Sequence, residues 1–495
     1  MTTRRVAAAA LAVALLVGTS WSGRAVAFHA NVDPALRSGD TALIQVQRGT
    51  VWSVARELVS AGASDVAAFE SVDILTARVS DAALAKISSD RAVRLATADA
   101  QVVAVGGGSR DLDTFGSKSD RDSLGAVAIH APLAWAESTG RGVVVALMDS
   151  GIAAHTDLPA GKVVGRVDFV NDAAPSLDPA GHGTHLAGVI AANGATFKGV
   201  APDARLVDIR ILDRTGSGTM KQVVAGFDWL LKNRGALSIR VLNLSFGTTQ
   251  SSSYHQDLLS ALVEAAWFSG IAVAAAAGNE GPVAGTITTP GADPFIITAG
   301  SFDDEGTPAE ADDRESSFSS LGPTKDGFTK PDVLAPGRRV VSLRSPGSML
   351  ETDKPDRVVS SSNLYIRMSG TSVSSAMVSG VAALVLGAHQ SYTPTQTKGA
   401  IVGSGRRVNG STTKAVDAQT ALSATARVNT KLVPSKLLMT ILVNSGVATS
   451  GVTWEGVTWE GVTWESVTWE SVTWESVTWE SVSWESITWE KVRAR

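Results

Sequence analysis

Four polar positions of this chain could together perform acyl transfer. Asp149 closes the apolar run VVVALM in ALMDSGI, and His182 stands between two glycines in GHGTHLAGVIAA. Asn279 follows Gly278 in IAVAAAAGNEG, and GTSVSSAMVSG carries four serines, beginning with Ser372. A serine hydroxyl is a poor nucleophile until a base takes its proton and a donor stabilises the resulting oxyanion. Alone, each position has an ordinary reading: a turn aspartate, a structural histidine, a Gly-Asn turn. Together they supply a carboxylate to orient a base, the base, and an amide donor.

The segment after Ser372 decides which serine serves. Val373, Met377, Val381 and Leu384 lie near one face of a helix, while Ala376, Gly380 and Ala383 make a small-residue stripe. At about 100° per residue, Ser374 points about 200° away from Ser372, and Ser375 lies about 60° off and roughly 4.5 Å further along the axis. Ser379 is deeper still. Ser372 alone sits in the first turn facing a cleft, where free backbone N–H groups and the helix dipole favour negative charge.

These residues need rigid elements beneath them. From about 124 to 424, strand-like runs (VVVALM, RLVDIRIL, VLNLSF, IAVAAAA, FIITAG) alternate with helical patterns (QVVAGFDWLLKN, LLSALVEAAWFSG). That alternation predicts an α/β fold, a mostly parallel sheet with helices on both faces. Ligands in such folds gather beyond the carboxyl ends of the strands. Residues 28–105 read as a small α+β unit of order βαββαβ, with Ser80 as a helix N-cap. Residues 106–123, rich in Gly, Ser and Asp, read as a flexible, protease-accessible linker, and 425–451 as a second linker.

With 495 residues, 44% of them hydrophobic, the chain can bury at least one large core. A net charge of -5 without a long basic run argues against nucleic acid as a partner. The absence of cysteine excludes thiol catalysis and disulfides. Residues 1–27, with Arg4 and Arg5 before an apolar run and Ala25-Val26-Ala27 at its end, have the architecture of a secretory signal peptide. A short membrane anchor is the alternative, although the run falls short of the ~20 residues a span needs. No later segment reads as long and apolar enough to cross a membrane.

From Val452 to about 491 the sequence repeats VTWE(G/S) with a period of five, carrying eight of the chain's 13 tryptophans. An odd period sends successive tryptophans to opposite faces of a strand and spreads them around a helix. Regularly spaced tryptophans suit contact with glycan or cell envelope, since each brings large area with a polar edge. A repeat expansion without a partner is the bland reading.

ALMDSGI, GHGTHLAGVIA, AAAGNEG and SGTSVSSAMVSG, in that order, resemble the signatures of subtilisin-like serine proteases, as do GVAPDARLVDIRILDRTGSG, VLNLSFG and KPDVLAPG. The resemblance covers about 124–424. It implies that Asp149 is the orienting carboxylate, His182 the general base and acid, Ser372 the nucleophile and Asn279 the oxyanion donor. It further implies that Ser245, Phe246 and Gly247 pair with an extended peptide substrate. No cofactor is then required for chemistry; structural Ca2+ is common in the family, and no metal ligands are assigned here. Residues 28–105 resemble the family's inhibitory propeptide, a ferredoxin-like module cut off during maturation, with 106–123 as the maturation region. Where the family commonly has Pro and His after the nucleophile, this chain has Ala376 and Met377. The expectation is a secreted, self-processed serine endopeptidase acting on proteins or peptides, with its own propeptide as inhibitor. The competing expectation is an inactive scaffold that binds envelope or glycan through the tail.

Overall fold

The computed structural model describes residues 31–105, 112–114, 120–172, 177–249, 252–435 and 437. The expected leader at 1–27 and the repeat tail at 452–491 lie outside the described residues.

The first unit contains β1 (Asn31–Val32), β2 (Thr41–Val46), α1 (Val51–Ser60), β3 (Ser64–Phe69), β4 (Ile74–Arg78), α2 (Asp81–Ser89) and β5 (Val93–Ala98). Its sheet has the order β1-β5-β2-β4-β3. The two-residue strand period gives that sheet two working faces. Ala42, Ile44 and Val46 pack with Val54 and Leu58 of α1 and Ile87 of α2 in a core of their own. Leu43 and Ile74 instead join the large core of the following domain. Ser80 caps α2, accepting from the Ala83 N–H at 3.1 Å. A further strand, β6 (Gln101–Ala104), leaves this sheet and pairs elsewhere.

The second unit begins with the short α3 (Ala131–Ala134), then runs through β7 (Val144–Asp149), β8 (Val163–Asp168), α4 (His182–Ala191), β9 (Arg205–Arg210), β10 (Ser217–Thr219) and α5 (Met220–Asn233). It continues with β11 (Ile239–Leu244), β12 (Phe246–Thr249), α6 (Leu258–Phe268), β13 (Ala272–Ala276), β14 (Thr288–Thr289), β15 (Ile297–Asp303), β16 (Arg314–Glu315) and β17 (Val333–Pro336). After β18 (Val340–Leu343), α7 (Met349–Asp353) and β19 (Tyr365–Met368) comes the long α8 (Thr371–Ala388).

Strands β8-β9-β7-β11-β13-β15 form a parallel sheet, extended by β17 in parallel and β16 in antiparallel fashion beside β15. All six residues of β7 and all five of β13 are buried, which is why their sequences show apolar runs rather than alternation. The chain winds outward from β7 in one direction through β9 and then in the other through β11. A crevice opens at such a reversal, beyond the carboxyl ends of β7 and β11. Asp149 ends the first of these strands, and Ser245 follows the second.

Helix α8 packs on β11, β13 and β15 and against α4. Its stripe of small residues permits close approach: a Cβ on Gly380 would fall 2.5 Å from Val200 Cβ. Contrary to the sequence expectation, this 18-residue helix, with mean hydropathy 1.6, is long and apolar enough to cross a membrane. It is 89% buried inside the fold, so its apolarity serves the core.

Within the expected flexible linker, the described residues 112–114 and 120–123 make contacts that the sequence did not anticipate. Leu112 and Asp113 are buried, at 6% and 5% exposure. The Asp113 carboxylate accepts from Ser369 Oγ and pairs with Arg357 Nε at 2.9 Å. Asp122 pairs with Arg367 and Arg339. Two of the acidic residues that made the segment look solvated, Asp113 and Asp122, meet arginines more than two hundred positions later, which local composition does not reveal.

Candidate active site

Asp149, at the end of a wholly buried strand, is 0% exposed. Its Oδ1 accepts from the Ser150 N–H at 2.8 Å and lies 2.7 Å from His182 Nδ1. His182 is the first residue of α4, so its ring projects from a helix start toward the strand end. Burial of the ring works against its charged form, yet the charge and hydrogen bond of Asp149, helped by Asp178, outweigh this and raise its pKa above the ordinary value. One turn on, His185 has its pKa lowered to about 3, chiefly by burial, and is neutral. Asp208 is raised to about 7 by burial despite the opposing charge of Arg166.

The strand end and helix start are tied by Asp178, which sequence reasoning missed. Its buried carboxylate accepts from Ser150 Oγ and the Gly181 N–H at 2.8 Å each, and from the Thr184 N–H at 2.8 Å and Thr184 Oγ1 at 2.6 Å. Ser150 Oγ in turn accepts from the Gly183 N–H at 3.0 Å. The available signal was a carboxylate just ahead of a helix N-terminus, where free N–H donors cluster. Asp178→Asn points an NH2 group at two of these donors in either amide orientation. We expect a stability loss of about 3 kcal/mol in urea unfolding, measured in the Ser372→Ala background to avoid self-digestion.

Ser372 lies in the first turn of α8 and is 1% exposed. Its hydroxyl donates to the carbonyl oxygen of Val105, with a longer contact of 3.3 Å to Ser245 O. The other three serines of the segment are spoken for: Ser374 donates to Ala335 O, Ser375 to Ser372 O, and Ser379 to Asn243 Oδ1. Asn279 follows β13 at the same edge of the sheet, and its Oδ1 accepts from the Thr371 N–H at 2.9 Å and Thr371 Oγ1 at 3.0 Å. Thr371 thereby fixes the amide orientation and leaves Nδ2 buried without a hydrogen-bond partner. Gly370, at φ 149°, opens α8 between these groups: a Cβ there would lie 3.2 Å from Asn279 Nδ2 and 3.5 Å from Val105 O. A larger residue would meet the amide and the peptide carbonyl at once.

Strand β6 places that carbonyl. Ala104 and Val103 pair antiparallel with Phe246 and Gly247 of β12, and Val105 N–H donates to Ser245 O at 2.8 Å. On its other side β6 pairs with β10, Val103 opposite Ser217 and Val102 opposite Gly218. The chain's own segment thus forms the middle strand between two edges of the second unit. The Ser217–Thr219 edge was not assigned from sequence, although RTGSG marks a turn there.

The structure therefore brings Asp149 to His182, Ser372 and Gly370 to the Val105 carbonyl, and Ser245 O to the Val105 N–H, with the Asn279 amide beside Gly370. No hydrogen bond links Ser372 to His182, whose Nε2 is buried and unpartnered. Among the described residues no group of three or more His, Asp or Glu side chains is arranged to hold a metal ion, so no contact is assigned to one.

Residues 140–425, more than half of the chain, match the Subtilase family. The chain belongs to that family, whose class is that of serine-type endopeptidases. Among curated relatives, the serine protease AprX of Bacillus subtilis (strain 168) is 41% identical over 270 residues, covering 52% of this chain and 60% of that protein. Less than two thirds of that relative's length is thus matched. Subtilisin DY of Bacillus licheniformis is 35% identical over 264 residues, covering 52% of this chain and 82% of that protein. Among solved structures, fervidolysin from Fervidobacterium pennivorans, a keratinolytic enzyme related to subtilisin, aligns with a TM-score of 0.61 at 21% identity. That alignment covers 80% of this chain and 63% of fervidolysin, and shows the shared fold.

Proposed function

We propose that this chain is a secreted serine endopeptidase made as a self-processed zymogen, cut first after its own Val105. The observation that carries the reading is the Val105 carbonyl seated at the Ser372 hydroxyl, with Val105 N–H on Ser245 O. In the reaction the hydroxyl turns its proton from Val105 to His182 Nε2, and Ser372 Oγ bonds to the Val105 carbonyl carbon. Asp149, already on Nδ1, stabilises the imidazolium that forms. The Nδ2 group of Asn279 donates to the oxyanion. His182 then returns the proton to the Gly106 nitrogen as the peptide bond breaks. Water, deprotonated by the same ring, then adds to the Val105 carbonyl carbon, the ester bond to Ser372 Oγ breaks, and His182 returns that proton to Ser372 Oγ.

A protein or peptide substrate in trans takes the place of β6, reading the same two strand edges by main-chain pairing. Secretion rests on the leader-like residues 1–27. Contact with envelope or glycan rests on the tryptophans of 452–491. Family membership disfavours the inactive scaffold as the main function.

Intact mass over time tests the reading. Starting from the chain without residues 1–27, we expect a break between Val105 and Gly106 in the wild type and none in purified Ser372→Ala. Equal cutting of both variants, or survival of both, overturns it. Val105→Pro removes the N–H that donates to Ser245 O, and should slow that cut at least tenfold.

A further inference from the structure

The outward face of the first unit's sheet holds one amide among apolar neighbours. Gln45 lies on β2 beside Leu43, on the side opposite Ala42, Ile44 and Val46, and is 1% exposed. Burying an amide there is costly unless it is paired. Its Oε1 has no partner, and its Nε2 donates to the carbonyl of Leu437 at 3.0 Å. That carbonyl lies outside the sheet of the first unit, 392 positions further along the chain.

Residues 432–435 and Leu437 are fastened beside this point. Leu432 and Leu437 pack against the large core. Tyr254 Oη donates to Val433 O at 2.7 Å. The Ser435 N–H donates to Glu264 Oε2 at 2.7 Å, Glu264 being a wholly buried residue of α6, and Leu437 N–H donates to Ser435 Oγ at 3.2 Å. The segment is thus held by the second unit and offers its last described carbonyl to the first.

We infer that residues 432–435 together with Leu437 form a C-terminal strap that completes the binding surface for the chain's own propeptide, with Gln45 as the group it recognises. The inference rests on the zymogen reading above. Before and after the cut at Val105 the strap remains part of the mature chain, whereas Gln45 leaves with the propeptide. Retention of the cleaved propeptide therefore depends on the segment from which the Trp-rich repeats continue. Loss of the strap leaves the Gln45 amide buried with neither end paired, and the complex then dissociates about tenfold faster.

The test follows the full chain, without residues 1–27, through its own processing. Mass records the cut, and turnover of a short chromogenic peptide records release of the propeptide from the cleft; the interval between them is the retention time. Gln45→Ala and a stop after Lys431 should each shorten it about tenfold, with no further shortening when combined. A stop after Thr440, which keeps the strap and removes the repeats, should leave the interval as in the full chain. Tyr254→Phe, which unfastens Val433 without deleting chain, should shorten the interval in the Gln45 chain and not in Gln45→Ala, and serves if the shorter chain does not fold. Equal intervals for all variants, or a Gln45→Ala effect that persists in full after the strap is removed, overturn the strap. Cutting that is absent in the wild type, or present in Ser372→Ala, overturns the zymogen reading itself and the strap with it.

Discussion

Asp149→Asn is expected to lower kcat by about 10⁴-fold toward a peptide substrate while leaving the fold intact. The asparagine cannot stabilise the imidazolium, and it offers His182 Nδ1 a donor where an acceptor is required. The same variant should change the pH profile. As the proposed base, His182 acts only when neutral, and its raised pKa predicts an acid limb of kcat/KM above the ordinary imidazole value. Burial alone lowers that pKa, and Asp149 supplies the two largest opposing contributions. Removing them therefore moves the acid limb to lower pH. For stability the sign is the corresponding one: a raised histidine pKa adds stability at acid pH that is lost as pH rises through the folded-state value. An acid limb that stays in place in Asp149→Asn would show that His182 does not carry the titration.

Asn279→Ala is expected to cost about 10²- to 10³-fold in kcat with KM little changed. The Nδ2 group makes no hydrogen bond in the structure, so it gains one only as charge develops on the substrate oxygen, the condition for accelerating the chemical step. Two contributions can be separated, because the Oδ1 atom also accepts from the Thr371 N–H and hydroxyl. Asn279→Asp keeps those acceptors and loses the donor. If Asp restores the rate that Ala loses, the residue acts by holding Thr371 and not by stabilising the oxyanion.

The sequence marked the positions of both residues in the same way. The apolar runs ending at Asp149 and near Asn279 mark buried parallel strands, and both residues stand at the carboxyl edge, as that pattern requires. Helical geometry alone singles out Ser372 among the four serines, and in the structure Ser374, Ser375 and Ser379 donate to Ala335 O, Ser372 O and Asn243 Oδ1. Asp178 had no comparable mark. Its function depends on four donors from three residues that converge only when α4 is seated against the end of β7.

The sequence by itself determined the α/β class, the positions of Asp149 and Asn279 at strand ends, and the family. Each of these is written in local period, in strand-end chemistry or in short ordered motifs, which a single chain displays without folding. Tertiary structure alone decided that Val105 lies on Ser372, that Ser217–Thr219 forms the second edge beside β6, and that Asp113 and Asp122 are pinned by distant arginines. It also placed the carbonyl of Leu437 on Gln45. The physical reason is shared: these contacts join segments far apart in sequence through hydrogen bonds and charge pairs, and polar pairing of that kind leaves no periodic trace in either segment.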